Sequence, residues 1–434
     1  MNRLRSAKRV AAVVLCFAML LACMVQAVGV TSGPTPVSAE TTRVKWSVRF
    51  GTSYRDAPSV PADADGYLAV MMGKRLLKVS TADGSIVSEA GMSASPGLGY
   101  VAPTFQDGIV YCPLLGAVVE AFDFSSMTKL WSYTDALGGQ SLTSVVYSDG
   151  LVFTGFWNND DETAAYVCLD ALTGELKWRI ERGGGFYWAA CAPIGDYVVF
   201  GGDDGTVYDD RQSEILAVKK STGEISDSKT VTGDVRSAVT YNDANGRVYF
   251  VTKAGYLYSA SFRDGKLSDL KEMYLGGAST ATPVIYNGRV YVGVQSSARQ
   301  GKIAVIDSET LHIIYTADMP GYPQNCVLLS SFYGDTAYIY TTYNAPPGGI
   351  MMMTDAAGQT VPSVSALFTP SDSQVNYSIS PIIADSDGTL YYKNDSGYIF
   401  ALENTSETDA ARGILEKLYR LLLTILRFFN NIFI

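Results

Sequence analysis

One phrase of short apolar strands recurs eight times along the middle of this chain. Each copy is punctuated by a glycine turn, most often Asp-Gly or Asn-Gly, and a spare strand precedes the first copy. These three observations predict an all-β fold, an eight-bladed β-propeller closed by its N-terminal strand, with a C-terminal amphipathic helix appended. The composition agrees. The chain has 434 residues, 47% hydrophobic and 18% charged, with 41 Gly and 28 Tyr. Such a chain is not disordered, and it is long enough for one large β core or for two or three ordinary domains.

The first element is a leader, residues 1–39. Arg3, Arg5, Lys8 and Arg9 form a basic start, and an apolar run from Val10 to Val30 follows, broken only by Gln26 and Gly29. Val37-Ser38-Ala39 is a small-residue cleavage pattern ahead of Glu40. The expectation is a signal peptide and an exported protein, extracellular or at the cell surface. Two alternatives stay open: an uncleaved anchor, because the apolar run approaches spanning length, and lipoprotein-type processing at Leu20-Leu21-Ala22-Cys23. Removing the four cations of the leader from a formal net charge of −10 leaves −14. That argues against nucleic-acid partners, whose binding rests on cationic contacts to phosphate.

The propeller is expected over 42–403. Val44-Lys45-Trp46-Ser47-Val48 is the spare strand. The repeat anchors then fall at 58, 103, 144, 193, 238, 283, 328 and 381, spaced 41 to 53 residues apart. Asp-Gly and Asn-Gly supply the positive backbone angles of a tight hairpin. The second strands are aromatic and apolar (Ile109-Val110-Tyr111, Val248-Tyr249-Phe250, Leu390-Tyr391-Tyr392) and the third are buried by composition (Tyr166-Val167-Cys168-Leu169, Ile303-Ala304-Val305-Ile306). Fourth strands include Leu130-Trp131-Ser132 and Leu176-Lys177-Trp178. The eighth unit stops at Ala401-Leu402-Glu403 without a fourth strand, and the spare strand around Trp46 matches what is missing. Placing it there closes the ring and removes two sheet edges.

A polar linker, 404–411, leads to 412–434, with Thr408 or Asp409 able to cap a helix. In 412–434, Arg412, Glu416, Lys417, Arg420, Thr424, Arg427 and Asn431 recur at three- and four-residue steps, and Leu418, Leu422, Ile425, Phe429 and Phe433 share the opposite, wide face. That pattern suits a helix lying on a membrane surface, packed on the domain, or paired with itself.

The chemistry is restricted by what is scarce. His312 is the single histidine, so a two-His metal site cannot exist and any His-dependent triad would have to use it. Cys112, Cys168, Cys191 and Cys326 lie outside the leader without CxxC spacing, and buried free thiols are expected. Asp63-Ala64-Asp65-Gly66 and Asp385-Ser386-Asp387-Gly388 have the opening of a Ca²⁺ loop but lack its later ligands, and read as hairpin turns.

The phrase Asp149-Gly150-Leu151-Val152-Phe153, with Cys168-Leu169-Asp170-Ala171-Leu172-Thr173-Gly174-Glu175-Leu176-Lys177-Trp178, resembles the PQQ-like repeat of quinoprotein alcohol dehydrogenase-like propellers. The resemblance covers about 42–403. It implies the fold and leaves the function between dehydrogenases and non-catalytic scaffolds. The layout is similar to that of the eight-bladed scaffold lipoprotein of the outer-membrane β-barrel assembly machine. For the enzymes it implies PQQ with calcium under a vicinal Cys pair. This chain has no Cys-Cys, and no cofactor residue carries over, so no cofactor is expected.

Topology selects the candidate ligand or partner face. Loops after the second strand of a blade, and the links between blades, open on the same side of the ring. There blades three and four bring Phe156, Trp157, Asn158, Asp160, Asp161, Phe186, Tyr187, Trp188, Asp203 and Asp204, and blade seven brings Tyr343 and Asn344. Aromatic faces beside carboxylates and amides suit a protein partner or a glycan. The reading is an exported, non-catalytic binding or scaffold protein. The alternatives are a quinoprotein-type oxidoreductase using PQQ and calcium, and a glycan-binding module.

Overall fold

The computed structural model describes residues 29–52, 56–97, 99–158, 163–203 and 212–406, together with 408, 409, 411, 413–415 and 418. Eight sheets form the ring expected from the repeat. Blades one to seven span 62–91, 104–134, 146–183, 192–232, 240–274, 284–319 and 328–368. Blade eight is built from 383–404, with Thr42–Arg49 as its outermost strand. Within each blade the strands form an antiparallel meander, designated A to D from the axis outward. The A–B and C–D turns open on one face, the turn face. The B–C loops and the links between blades open on the other, the loop-rich face.

The A–B turns carry the predicted chemistry. Asp65, Asp107, Asp149 and Asn287 lie at φ between 47° and 53°, and the glycines after them at φ between 74° and 84°. Two consecutive positive angles make the mirror-image turn whose twist matches a hairpin, and Asp-Gly or Asn-Gly reaches them at least cost. Each C–D strand pair also carries a register shift. A bulge at a constant place increases strand twist, and repeated in all eight blades it gives the ring a regular pitch.

Neighbouring blades are joined by side chains from strands B and D. Trp131 packs its indole on Gly174 of the following blade, where an added Cβ would meet the ring at 2.6 Å, and its Nε1–H donates to the Ala171 carbonyl at 3.0 Å. Trp178 repeats this on Gly223 and the Lys220 carbonyl at 2.7 Å. Trp46 does the same on Gly84 and the Thr81 carbonyl at 3.0 Å. The predicted closure therefore seats blade eight on blade one with the contact used elsewhere in the ring. The pairing runs from Thr42 opposite Asn404 to Arg49 opposite Tyr398.

The ordered chain reaches further upstream than the spare strand. Val30–Thr31 adds a short parallel strand inside the innermost strand of blade seven, pairing with Leu329 and Ser330. Residues 33–36 then cross the turn face, with Thr35 fully buried. Residues 29–39, which the sequence reading places within the leader, thus lie packed on the ring.

At the other end, Ser406 Oγ accepts the Asp409 N–H at 3.3 Å, so Ser406 takes the capping role expected of Thr408 or Asp409. Helical backbone is present at 413–415. This stretch is too short to display two faces, and most of the expected amphipathic helix 412–434 lies outside the described residues. Among the described residues no helix is long and apolar enough to cross a membrane. Cys112, Cys168 and Cys191 are buried free thiols and Cys326 is half-buried.

Candidate functional site

The innermost strands enclose an axial cavity of about 860 Å³, reaching from Trp188 and Gln324 on the loop-rich side to Asp149 and Lys220 near the turn face. Lys220 closes part of the turn end. Its Nζ lies 2.8 Å from Asp149 Oδ2 and 2.9 Å from Ser148 Oγ, which ties the C–D turn of blade four to the A–B turn of blade three.

The loop-rich mouth carries an aromatic and ionic cluster on blades three to five. Trp157, at the end of the second strand of blade three, is held by paired backbone bonds to Gln140 of 2.8 and 3.1 Å. Its indole lies against Gly185, where a Cβ would stand 3.0 Å from the ring, a contact tighter than most side chains make. Tyr187 meets Trp157 edge-on at 5.2 Å and Trp188 at 4.5 Å between centroids. The Arg236 guanidinium, from the link into blade five, sits 5.1 Å over the Tyr187 ring. Arg236 Nε also donates to Asp203, and its Nη2 lies 3.4 Å from Asp234. Asp203 is tied by its backbone to Gly185, with both bonds at 3.0 Å.

Burial opposes the charge on Arg236, but Asp203 and Asp234 outweigh it and hold the guanidinium's pKa above its ordinary value. Lys253 nearby is shifted the other way. Burial and then the Arg236 charge push its ammonium down, against the pull of Asp234 and Asp203. Trp188 is the unusual member. It lies at φ 58°, where a bulky side chain is costly, and its half-exposed ring borders the cavity mouth.

A second ionic group lies in blade eight on the same face. The Lys393 side chain is fully buried, with Nζ 3.7 Å from Asp395 Oδ1 and 4.7 Å from the centre of the Tyr100 ring. Burial pushes its ammonium down to about 8 despite Asp395. The Tyr100 hydroxyl donates to Asp395 Oδ2 at 3.3 Å.

The residues named from the sequence divide. Trp157, Tyr187, Trp188 and Asp203 come together on the loop-rich side, where Trp188 borders the cavity, Tyr187 is half-buried and Trp157 and Asp203 are buried beneath them. Phe156 and Phe186 do not face it. Phe156 is buried between blades two and three, and Phe186 packs on Tyr166 and Phe200. Strand alternation turns Phe156 inward, and Phe186, in the link after Gly183, folds onto the blade core, consequences that loop membership alone does not reveal. Asn158 donates to the Leu137 carbonyl at 2.9 Å. Tyr343 is buried, and Asn344 is exposed on blade seven, two blades beyond the cluster, with its Nδ2 2.7 Å from Gln324 Oε1. Asp160, Asp161 and Asp204 lie outside the described residues, as do Leu422, Ile425, Phe429 and Phe433. Leu418 is exposed. Sequence reasoning missed Arg236, Asp234, Lys253, Lys393 and Asp395. The first two lie in a blade-to-blade link and the others at or just beyond the ends of second strands, the same classes of position that pointed to Tyr187 and Trp157.

The described residues do not fit a calcium-held quinone. Asp203 and Asp234 are engaged by Arg236, Asp149 by Lys220, and Asp395 lies beside Lys393. Among the described residues no three His, Cys, Asp or Glu side chains are grouped to hold a metal ion. His312 is exposed just ahead of the fourth strand of blade six, on the turn face.

Comparison with solved structures agrees on the fold. BamB from Moraxella catarrhalis is 14% identical, with a TM-score of 0.58 over 83% of this chain and 99% of its own. Quinohemoprotein alcohol dehydrogenase from Comamonas testosteroni is 12% identical, with a TM-score of 0.66 over 87% and 79%. Quinohemoprotein alcohol dehydrogenase ADHIIG from Pseudomonas putida HK5 is 12% identical, with a TM-score of 0.62 over 86% and 78%. No curated protein matches the sequence. A family profile described as outer membrane protein assembly factor BamB matches residues 35–181 and 165–410, nearly the whole ring. With its blades, its closure and that match in place, this chain belongs to the PQQ-like repeat family described by the name of that assembly factor.

Proposed function

We propose that this chain is a non-catalytic binding propeller that works outside the cytoplasm and holds a protein partner on its loop-rich face, at the cluster around Trp188. The observation that carries the reading is Trp188 itself. A tryptophan held at φ 58° costs about 1–3 kcal/mol relative to a relaxed backbone, and whereas Ala117, Met127 and Leu311 take nearly the same angle in turns beside the strands, Trp188 does so in a blade link at the cavity mouth, the kind of place where strain accompanies function. Beside it stands the half-buried Tyr187, a residue type enriched where protein interfaces concentrate their binding energy, held from beneath by the buried Trp157 and Arg236. The exposed Ile414, Leu415 and Leu418, with the cations that follow, suit attachment of the tail to a membrane surface. Liposome flotation with and without 412–434 tests that part.

The test of the main reading is Trp188→Gly. Glycine adopts this backbone freely, so the variant should melt at the parental temperature or a few degrees above it. It should also lose the envelope protein that a photo-crosslinking residue at 187 captures from the wild-type chain. Capture that survives Trp188→Gly, or a cross-linked glycan in place of a protein, overturns the reading.

A further inference from the structure

The leader and the ring overlap. Val37-Ser38-Ala39 has the composition of a cleavage site, yet the eleven residues ending there are built into the propeller. The parallel strand Val30–Thr31 is fixed by Leu329 N–H donating to the Gly29 carbonyl at 2.6 Å and Ser331 N–H to the Thr31 carbonyl at 2.9 Å. Val30 packs into the core shared by blades six and seven. Gly33 and Pro34 lie on the A–B turn of blade eight, so closely that a Cβ on Gly33 would stand 2.6 Å from the Gly388 nitrogen.

Thr35 is the centre of the crossing. Its hydroxyl and that of Tyr340 lie 2.7 Å apart, and the Tyr340 hydroxyl donates to the Pro36 carbonyl at 2.8 Å. Thr35 Oγ1 is therefore the donor to Tyr340. The Thr35 carbonyl accepts from Tyr333 and from Asn404 Nδ2, the latter at 3.0 Å. One short segment thus ties blade seven to the last residue of blade eight's third strand, and Thr42 then begins the strand that closes the ring. Removing 29–39 would leave the Tyr340 hydroxyl and the inner edge of blade seven without these partners.

We propose that export processing cuts this chain between Ala27 and Val28, upstream of the strap, and that residues 29–41 stay in the mature protein as a latch across blades seven and eight. The sequence supplies a site at that bond. The uninterrupted apolar run ends at Val25 with Gln26, and Val25-Gln26-Ala27 places small or modest uncharged residues at the third and first positions before the cut. Ending the run at Val25 shortens it to 16 residues, just beyond the usual signal core of about 7–15 and below a membrane span, which a run to Val30 approaches. The inference rests on export, which forms part of the proposed function.

The test is N-terminal sequencing and intact mass of the full chain recovered from the envelope or medium of an exporting host. Val28 as the first residue is the expected result. Ala27→Tyr should then accumulate precursor, while Ala39→Tyr should be processed like the parent. A first residue at Glu40 overturns both the site and the latch. A lipid-bearing Cys23 overturns the site and keeps the latch. A chain that begins at Met1 and stays in the cytoplasm overturns export itself. The latch has its own readout. Thr35→Val keeps the shape but removes the hydroxyl, and should lower the Tm by about 2–4 °C. An unchanged Tm would show that the strap carries no stability.

Discussion

Two blade junctions solve one geometric problem with different chemistry. Between blades two and three, the Tyr111 hydroxyl and the Trp131 indole N–H converge on a single backbone acceptor, the Ala171 carbonyl, at 3.2 and 3.0 Å. Between blades six and seven, the equivalent donors are Tyr291 and Tyr315, and their hydroxyls converge on a side chain, Asp355, at 2.6 and 2.7 Å. Arg289 also donates to that carboxylate. The first junction buries an indole on a glycine and needs no charge. The second buries a carboxylate that three donors must satisfy, and both tyrosine pKa values are driven above their ordinary value, by burial first and by Asp355 next. The backbone carbonyl at 171 is present whatever side chain the position carries, whereas the acceptor of the other junction exists only while residue 355 is an acid. This difference shows where the ring is tolerant and where it is brittle.

The largest expected effect breaks the junction that both designs presuppose. Deleting 42–50 removes Trp46 and the outer strand of blade eight, opens two sheet edges, and should abolish the cooperative thermal transition. A truncated chain melting like the parent would mean that the ring does not depend on this closure. Next come the junctions themselves. Asp355→Ala strands Arg289 and two tyrosine hydroxyls and should cost about 3–5 kcal/mol in urea unfolding, while Tyr111→Phe, which removes one neutral donor and leaves the indole on the Ala171 carbonyl, should cost about 1 kcal/mol. Equal costs would erase the contrast. The smallest effect is electrostatic and lies on the turn face. Burial first, then Asp385, Asp65 and Asp387, push Asp63 up to about 6. A carboxyl whose folded pKa is raised destabilises the fold when ionised. The penalty is full above about pH 6 and vanishes as pH falls toward 4. Asp63→Asn should therefore raise the Tm by a degree or two at pH 7.5 and leave it unchanged at pH 4. A gain that persists at pH 4 would show that the effect is not ionisation.

The tryptophan junctions could be read from the chain. Trp131 and Trp178 stand in fourth strands and Gly174 and Gly223 in the turns that follow, a spacing that recurs with the repeat. The Asp355 junction could not. Ile350–Ala356 looks like any buried third strand, and the need for its acid arises from Tyr291 and Tyr315, at least 40 residues away in sequence. The candidate site divides along the same line. Trp157, Tyr187 and Trp188 were legible as aromatics in loops of one face. Arg236, from the next link, joins them only because the ring brings successive links together around the axis.

What the sequence determined by itself was everything that repeats: the number of blades, their hairpins and the strand that closes them. These features rest on local turn chemistry and period-two burial, which a single chain displays directly. The tertiary structure decided what does not repeat. It turned Phe156 and Phe186 into the core, set Trp188 at the cavity mouth, converted Asp355 into a hub, and drew residues 29–39 out of an apparent leader and onto blade seven. Each of these depends on partners far away in the chain, and contacts of that kind leave no periodic trace in the sequence.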